Sequence, residues 1–189
     1  MKPSIRYLIA ALAVCILQTT ALAYMVLGRA AILRDGQEVM LRTAPVDPRD
    51  LLRGEYVILS YEVSTVPASA FTGEMPKARG RERLWVRLAP GEDGISSVQE
   101  AAFAPLPPKP GTVVMRSLPF DYWPSETPDD RRVDYGLERY YVPEGEGRRL
   151  EEMRNEQALK VAARVAADGT AQLRGLYAGG ALLYEEPLF

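Results

Sequence analysis

The residues whose types and spacing suit chemistry are four carboxylates and two guanidiniums. Asp47, Asp50 and Glu55 fall in one short stretch, and Glu144 stands in a second block far downstream. Gathered together, they would serve acid–base work or hold a hard cation, which takes oxygen ligands. Arg49 and Arg53, one helical turn apart, cannot pair with each other and would make an anion site. The competing reading is a capped turn whose charges are satisfied locally. Asp47 suits an N-cap, Pro48 the first helical position, Asp50 the positive end of the helix, and Gly54 a left-handed stop. Leu51 and Leu52 supply apolar contacts. The residues favour this capped turn, a short helix over 47–53 that feeds a strand. The chain has no histidine and one cysteine. That removes the serine–histidine–aspartate triad, the cysteine–histidine dyad, histidine-ligated zinc or haem, disulfides and zinc ribbons. No cofactor and no metal is expected.

The elements that must position these groups begin with a long apolar segment. Lys2 and Arg6 precede an uncharged run over 7–28. Residues 8–27 as a helix would measure roughly 30 Å, one hydrocarbon thickness. A cleaved signal peptide is the rival reading, with a polar break at Gln18-Thr19-Thr20 and a small-x-small pattern at Ala21-Leu22-Ala23. The chain after Ala23 stays apolar and helix-forming, which favours a signal anchor over residues 1–34. The basic start and the large following domain predict a single-pass protein of the bacterial inner membrane, N-in, with residues 35–189 outside the cytoplasm. Cys15 follows Val14, a poor fit to a lipoprotein box, and reads as a small apolar residue facing lipid or helix.

Without residues 1–27 the remainder is mildly acidic, because that stretch carries Lys2 and Arg6 and no acidic group. The chain's formal charge of −2 argues against nucleic acid as a partner. About 160 residues can bury a real core. Asp35-Gly36 ends the helix. Alternation predicts strands over 37–43 and 54–63, with Val57, Leu59, Tyr61 and Val63 on one face. Strands over 83–88 and 95–103 flank a Pro90–Gly94 loop, and strands over 159–166 and 170–177 flank the hairpin signal Asp168-Gly169. The proline-rich stretch 105–111 must be an extended connector. Short strands are expected over 112–117 and 181–184, and one helix over 147–157. The fold class is mainly β (α+β): a transmembrane helix, then one β-rich extracytoplasmic domain with one or two short helices.

Gly54-Glu55-Tyr56-x-x-Leu59-x-Tyr61 resembles the signature of the GDYXXLXY family of membrane-anchored bacterial proteins. The lead-in over 45–53 looks like that family's usual one. Tyr140-Tyr141-Val142-Pro143-Glu144-Gly145, with Leu150-Glu151 after it, is similar to its later block. Glu55 replaces the signature's aspartate, which keeps the carboxylate on a longer arm. The resemblance implies location more than chemistry: a membrane-anchored companion of a multi-helix membrane protein. It marks Asp47, Arg49, Asp50, Arg53, Gly54, Glu55, Tyr56, Leu59, Tyr61, Tyr140 and Glu144 as motif residues for binding. The expected partners are the lipid bilayer, through residues 8–27, and that polytopic protein.

Two rival functions stay open. A serine–lysine peptidase of the signal peptidase I type also has an N-terminal span, an outward β-domain and a proline-to-glycine–aspartate turn entering a strand, which Pro48 and Gly54-Glu55 resemble. The hydroxyl available upstream is Thr43, and Lys160 would be a base only if buried with a lowered pKa. A non-catalytic reading is favoured. A periplasmic ligand sensor is the other rival. Separately, Phe120, Tyr122, Trp123, Tyr135, Tyr140 and Tyr141 would form a binding platform for sugars or a partner, since Tyr and Trp favour interfaces. Core packing is favoured for Tyr140 and Tyr141.

Overall fold

Residues Pro3–Asp35 form one unbroken helix, α1. In the computed structural model the described residues are 3–45, 56–125, 129–141, 153 and 159–187, with the backbone alone at 3, 4, 56, 57 and 141. The helix passes straight through Gln18-Thr19-Thr20. It is apolar on every side rather than along one stripe, and its side chains from Ile5 to Arg29 are exposed, Cys15 among them. A helix of this kind finds its apolar surroundings in lipid or in other helices. It is long and apolar enough to cross a membrane. Contact with the rest of the chain starts at Ala30 and Leu33, both buried.

Gly36 ends the helix as expected. Its N–H donates to Ile32 O at 2.9 Å, and its carbonyl accepts from Arg164 Nη1 at 2.9 Å. A Cβ at Gly36 would meet Ile32 O at 2.5 Å and the backbone of Val165 at 3.1 Å. Only a residue without a side chain lets the helix end and the sheet approach this closely.

The strands follow in order: β1 (Gln37–Ala44), β2 (Tyr56–Ile58), β3 (Ser60–Tyr61), β4 (Thr65–Val66), β5 (Gly80–Glu82), β6 (Trp85–Pro90), β7 (Ser96–Ala102), β8 (Val113–Arg116), β9 (Phe120–Tyr122), β10 (Arg131–Arg132), β11 (Arg139–Tyr141), β12 (Leu159–Val165), β13 (Ala171–Ala178) and β14 (Ala181–Glu185). A five-stranded sheet runs β14-β13-β12-β1-β3, and a three-stranded sheet runs β7-β6-β8. Three two-stranded pairs complete the domain: β4 with β10, β2 with β11, and β5 with β9. All these pairings are antiparallel. The core between them gathers Val39, Leu41, Leu59, Tyr61, Val86, Leu88, Met115, Val161 and Leu176.

The Asp168-Gly169 hairpin forms as expected, and Gly169 adopts a left-handed φ of 84°. Asp168 accepts from the Thr170 N–H at 2.9 Å, while Arg116 N donates to Gly169 O at 2.8 Å, tying the turn to β8. The connector over 105–111 has no regular strand or helix and is held from beneath by Arg87. That side chain is 2% exposed, donates to Pro107 O at 2.7 Å, and pairs with Glu100 at 2.8 Å.

One expectation needs correction. The strand over 54–63 breaks at Leu59 into β2 and β3, and Glu62–Ser64 then turns as a 3₁₀ helix. The reason is a change of partner: β2 pairs with β11, whereas β3 pairs with β1. Ser60, placed on the outer face by alternation, is buried and accepts from Arg132 Nη2 at 3.0 Å. The helices expected over 47–53 and 147–157 lie outside the described residues, except for helical Met153.

Candidate functional site

The two sequence blocks that carry the family resemblance are neighbouring strands. Tyr56 pairs with Tyr141, Val57 with Tyr140, and Ile58 with Arg139. The turn before β11 is fastened to the signature by two bonds. The Leu59 N–H donates to Glu138 O at 2.8 Å, and the Tyr61 hydroxyl donates to Leu137 O at 2.7 Å. Both side chains are buried, so Leu59 and Tyr61 act as positioning residues. Burial first, then the nearby Glu138 carboxylate, pushes the Tyr61 pKa up, so its hydroxyl stays a donor.

Glu138 closes the same turn. Its carboxylate accepts from the N–H groups of Tyr135 at 2.5 Å and Gly136 at 2.8 Å. Burial raises its pKa above the ordinary value, against the pull of those donors. Tyr135 adds a hydroxyl bond to Val63 O at 2.9 Å. The turn therefore has little freedom, and the two residues after it, Arg139 and Tyr140, are held in place.

Those two residues line a cleft of about 350 Å³ at the junction of helix and domain. Arg29, Ala30 and Leu33 of α1 form one wall, with Gly136, Leu137, Gln172, Leu173 and Glu186 around the rest. Among the described residues its charged groups are two guanidiniums, Arg29 and Arg139, and one carboxylate, Glu186. Tyr140 is 3% exposed, and its hydroxyl has no hydrogen-bond partner among the described residues. The Tyr184 ring packs edge-on against it at 5.2 Å. Burial first, then the nearby Tyr184 hydroxyl and the Glu186 carboxylate, pushes the Tyr140 pKa up. A buried hydroxyl left without a partner costs free energy that a ligand atom would recover.

A second cleft of about 460 Å³ lies between Asp35, the connector and β8. Of its polar lining residues Asp35, Gln37, Lys109 and Thr112, Lys109 is bonded to Glu100 and Thr112 to Arg87.

Of the eleven motif residues, Tyr56, Leu59, Tyr61 and Tyr140 are brought together across β2, β3 and β11. Asp47, Arg49, Asp50, Arg53, Gly54, Glu55 and Glu144 lie outside the described residues. Among the described residues no group of carboxylates and cysteine is placed to hold a metal ion. Thr43 and Lys160 do not meet. Lys160 stands opposite Arg42 in the β1–β12 ladder, so Thr43, one residue on, projects to the other face. The Thr43 hydroxyl is buried and donates to Leu159 O at 2.8 Å. Tyr122 and Tyr135 are core residues, while Trp123 is exposed beneath the Arg79 guanidinium at 4.7 Å.

Sequence reasoning missed Arg29, Arg139, Gln172 and Glu186. They converge from four separate places in the chain, and no spacing signals them. The position of Arg29, directly after the apolar run, was the one available cue.

Fold and site together define a class: a single apolar helix carrying a strand-rich domain, with a charged cleft where the two meet. The profile described as "GDYXXLXY protein" matches residues 18–176, and the chain belongs to that family. No curated protein and no solved structure matches it.

Proposed function

We propose that this protein is a non-catalytic accessory subunit of a polytopic membrane protein, held by α1 in the bacterial inner membrane with its β-domain outside the cytoplasm. The observation that carries the reading is Gln18-Thr19-Thr20, exposed at the middle of an otherwise apolar helix. An amide at bilayer depth finds its hydrogen bonds across helices rather than in lipid tails, at roughly 1 kcal/mol per contact. A single helix with such a group at its centre is suited to pack against other spans.

The test is affinity purification of the full chain from its own membranes in mild detergent, comparing wild type with Gln18→Leu. A stoichiometric multi-span protein is expected with wild type and several-fold less of it with the variant. Recovery of the wild-type protein alone, or as a homodimer through α1, overturns the accessory role. Protection of the β-domain from added protease in spheroplasts would reverse the orientation.

A further inference from the structure

We propose that the junction cleft binds the headgroup of an anionic phospholipid, a phosphodiester carrying a polyol. The inference rests on α1 being a membrane span, and on no other part of the proposed function.

Place and charge select this occupant. Arg29 follows the last apolar residues of the span, so the cleft wall it forms lies at the height of lipid phosphates. Arg29 and Arg139 supply fork-shaped donors that suit a phosphodiester. No carboxylate among the described residues pairs with either of them. Glu186 reduces the charge of the lining to that of a single cation, which matches a monoanionic lipid. With Gln172 it also offers acceptors for headgroup hydroxyls.

The second observation is independent of charge. Tyr140 lines the cleft, and its hydroxyl is buried with no hydrogen-bond partner among the described residues. Loose attraction of surface arginines to a charged bilayer would not require it. A seated phosphate or polyol oxygen would complete it.

The experiment reconstitutes the full chain into nanodiscs containing phosphatidylglycerol, phosphatidylethanolamine and phosphatidylcholine in equal parts. Native mass spectrometry then reads the lipid retained after release into detergent. One retained phosphatidylglycerol per chain is expected. Arg139→Gln should lower retention about tenfold and Tyr140→Phe about threefold. Arg81→Gln, an exposed charge outside the cleft, should leave it unchanged.

Equal retention of the three lipids, or equal loss with Arg81→Gln, means bulk electrostatics and overturns the site. Displacement of the lipid by millimolar glycerol phosphate would assign the cleft to a soluble phosphate and overturn the lipid reading. Thermal melting of each variant separates lost binding from lost fold. Extraction of the wild-type chain by alkali would instead show that the span reading has failed.

Discussion

Tyr61 and Tyr140 are both buried, but one hydroxyl donates to Leu137 O and the other has no partner among the described residues. The same substitution should therefore act oppositely at the two sites. Tyr61→Phe leaves a buried carbonyl unpaired and frees the turn that sets the cleft, at a cost of about 1–2 kcal/mol. Tyr140→Phe removes an unmet polar atom and should leave stability unchanged or slightly raised in lipid-free detergent. Urea unfolding of the full-length variants in detergent checks both. A loss at position 140 as large as at 61 would mean that the Tyr140 hydroxyl is satisfied in solution.

At the scale of elements, the connector over 105–111 depends on one ion pair between the buried Arg87 and the partly exposed Glu100. Arg87 holds it from below and is balanced by Glu100, which also accepts from Lys109 at 3.2 Å and Thr72 at 3.1 Å. The Arg87 bond first, then those of Lys109 and Thr72, lowers the Glu100 pKa from its ordinary 4.5 to about 2. A carboxylate depressed on folding stabilises the fold fully above its unfolded value. That contribution is lost as pH falls from 4.5 through about 2. Stability should drop in that window, and Glu100→Gln should flatten the drop while costing about 3 kcal/mol at neutral pH, because Arg87 is left buried and unpaired. Unfolding curves between neutral pH and pH 2 read out both effects. Gly36→Ala belongs to the same scale. Its Cβ would press on backbone atoms that cannot rotate away, so a loss of about 1–3 kcal/mol is expected, with new protease cleavage at the junction.

The elements read correctly from sequence are those whose signals are local. The apolar run gave α1, the Pro90–Gly94 loop gave β6 and β7, and Asp168-Gly169 gave β12 and β13. The pairs β5–β9, β4–β10 and β2–β11 were illegible, because strands of two or three residues have no period and their partners lie far along the chain. The same limit hid the cleft. Tyr140 was singled out by its block, but the groups around it meet only after the sheet and the helix end have been placed.

On the scale of the whole molecule, α1 does not stop where its apolar run ends. It continues past Gly28 to Asp35, and Ala30 and Leu33 bury against the domain before Gly36 turns directly into β1. No linker separates span from sheet, so shaft and head turn together. A neighbouring helix that shifted its grip on the span by one residue, about 100° around the axis, would swing the whole β-domain through the same arc. The cleft and the strands above it would then face a different part of the membrane surface. In that sense the protein is built like a rudder: with α1 in the bilayer as proposed, whatever turns the post sets the heading of the blade.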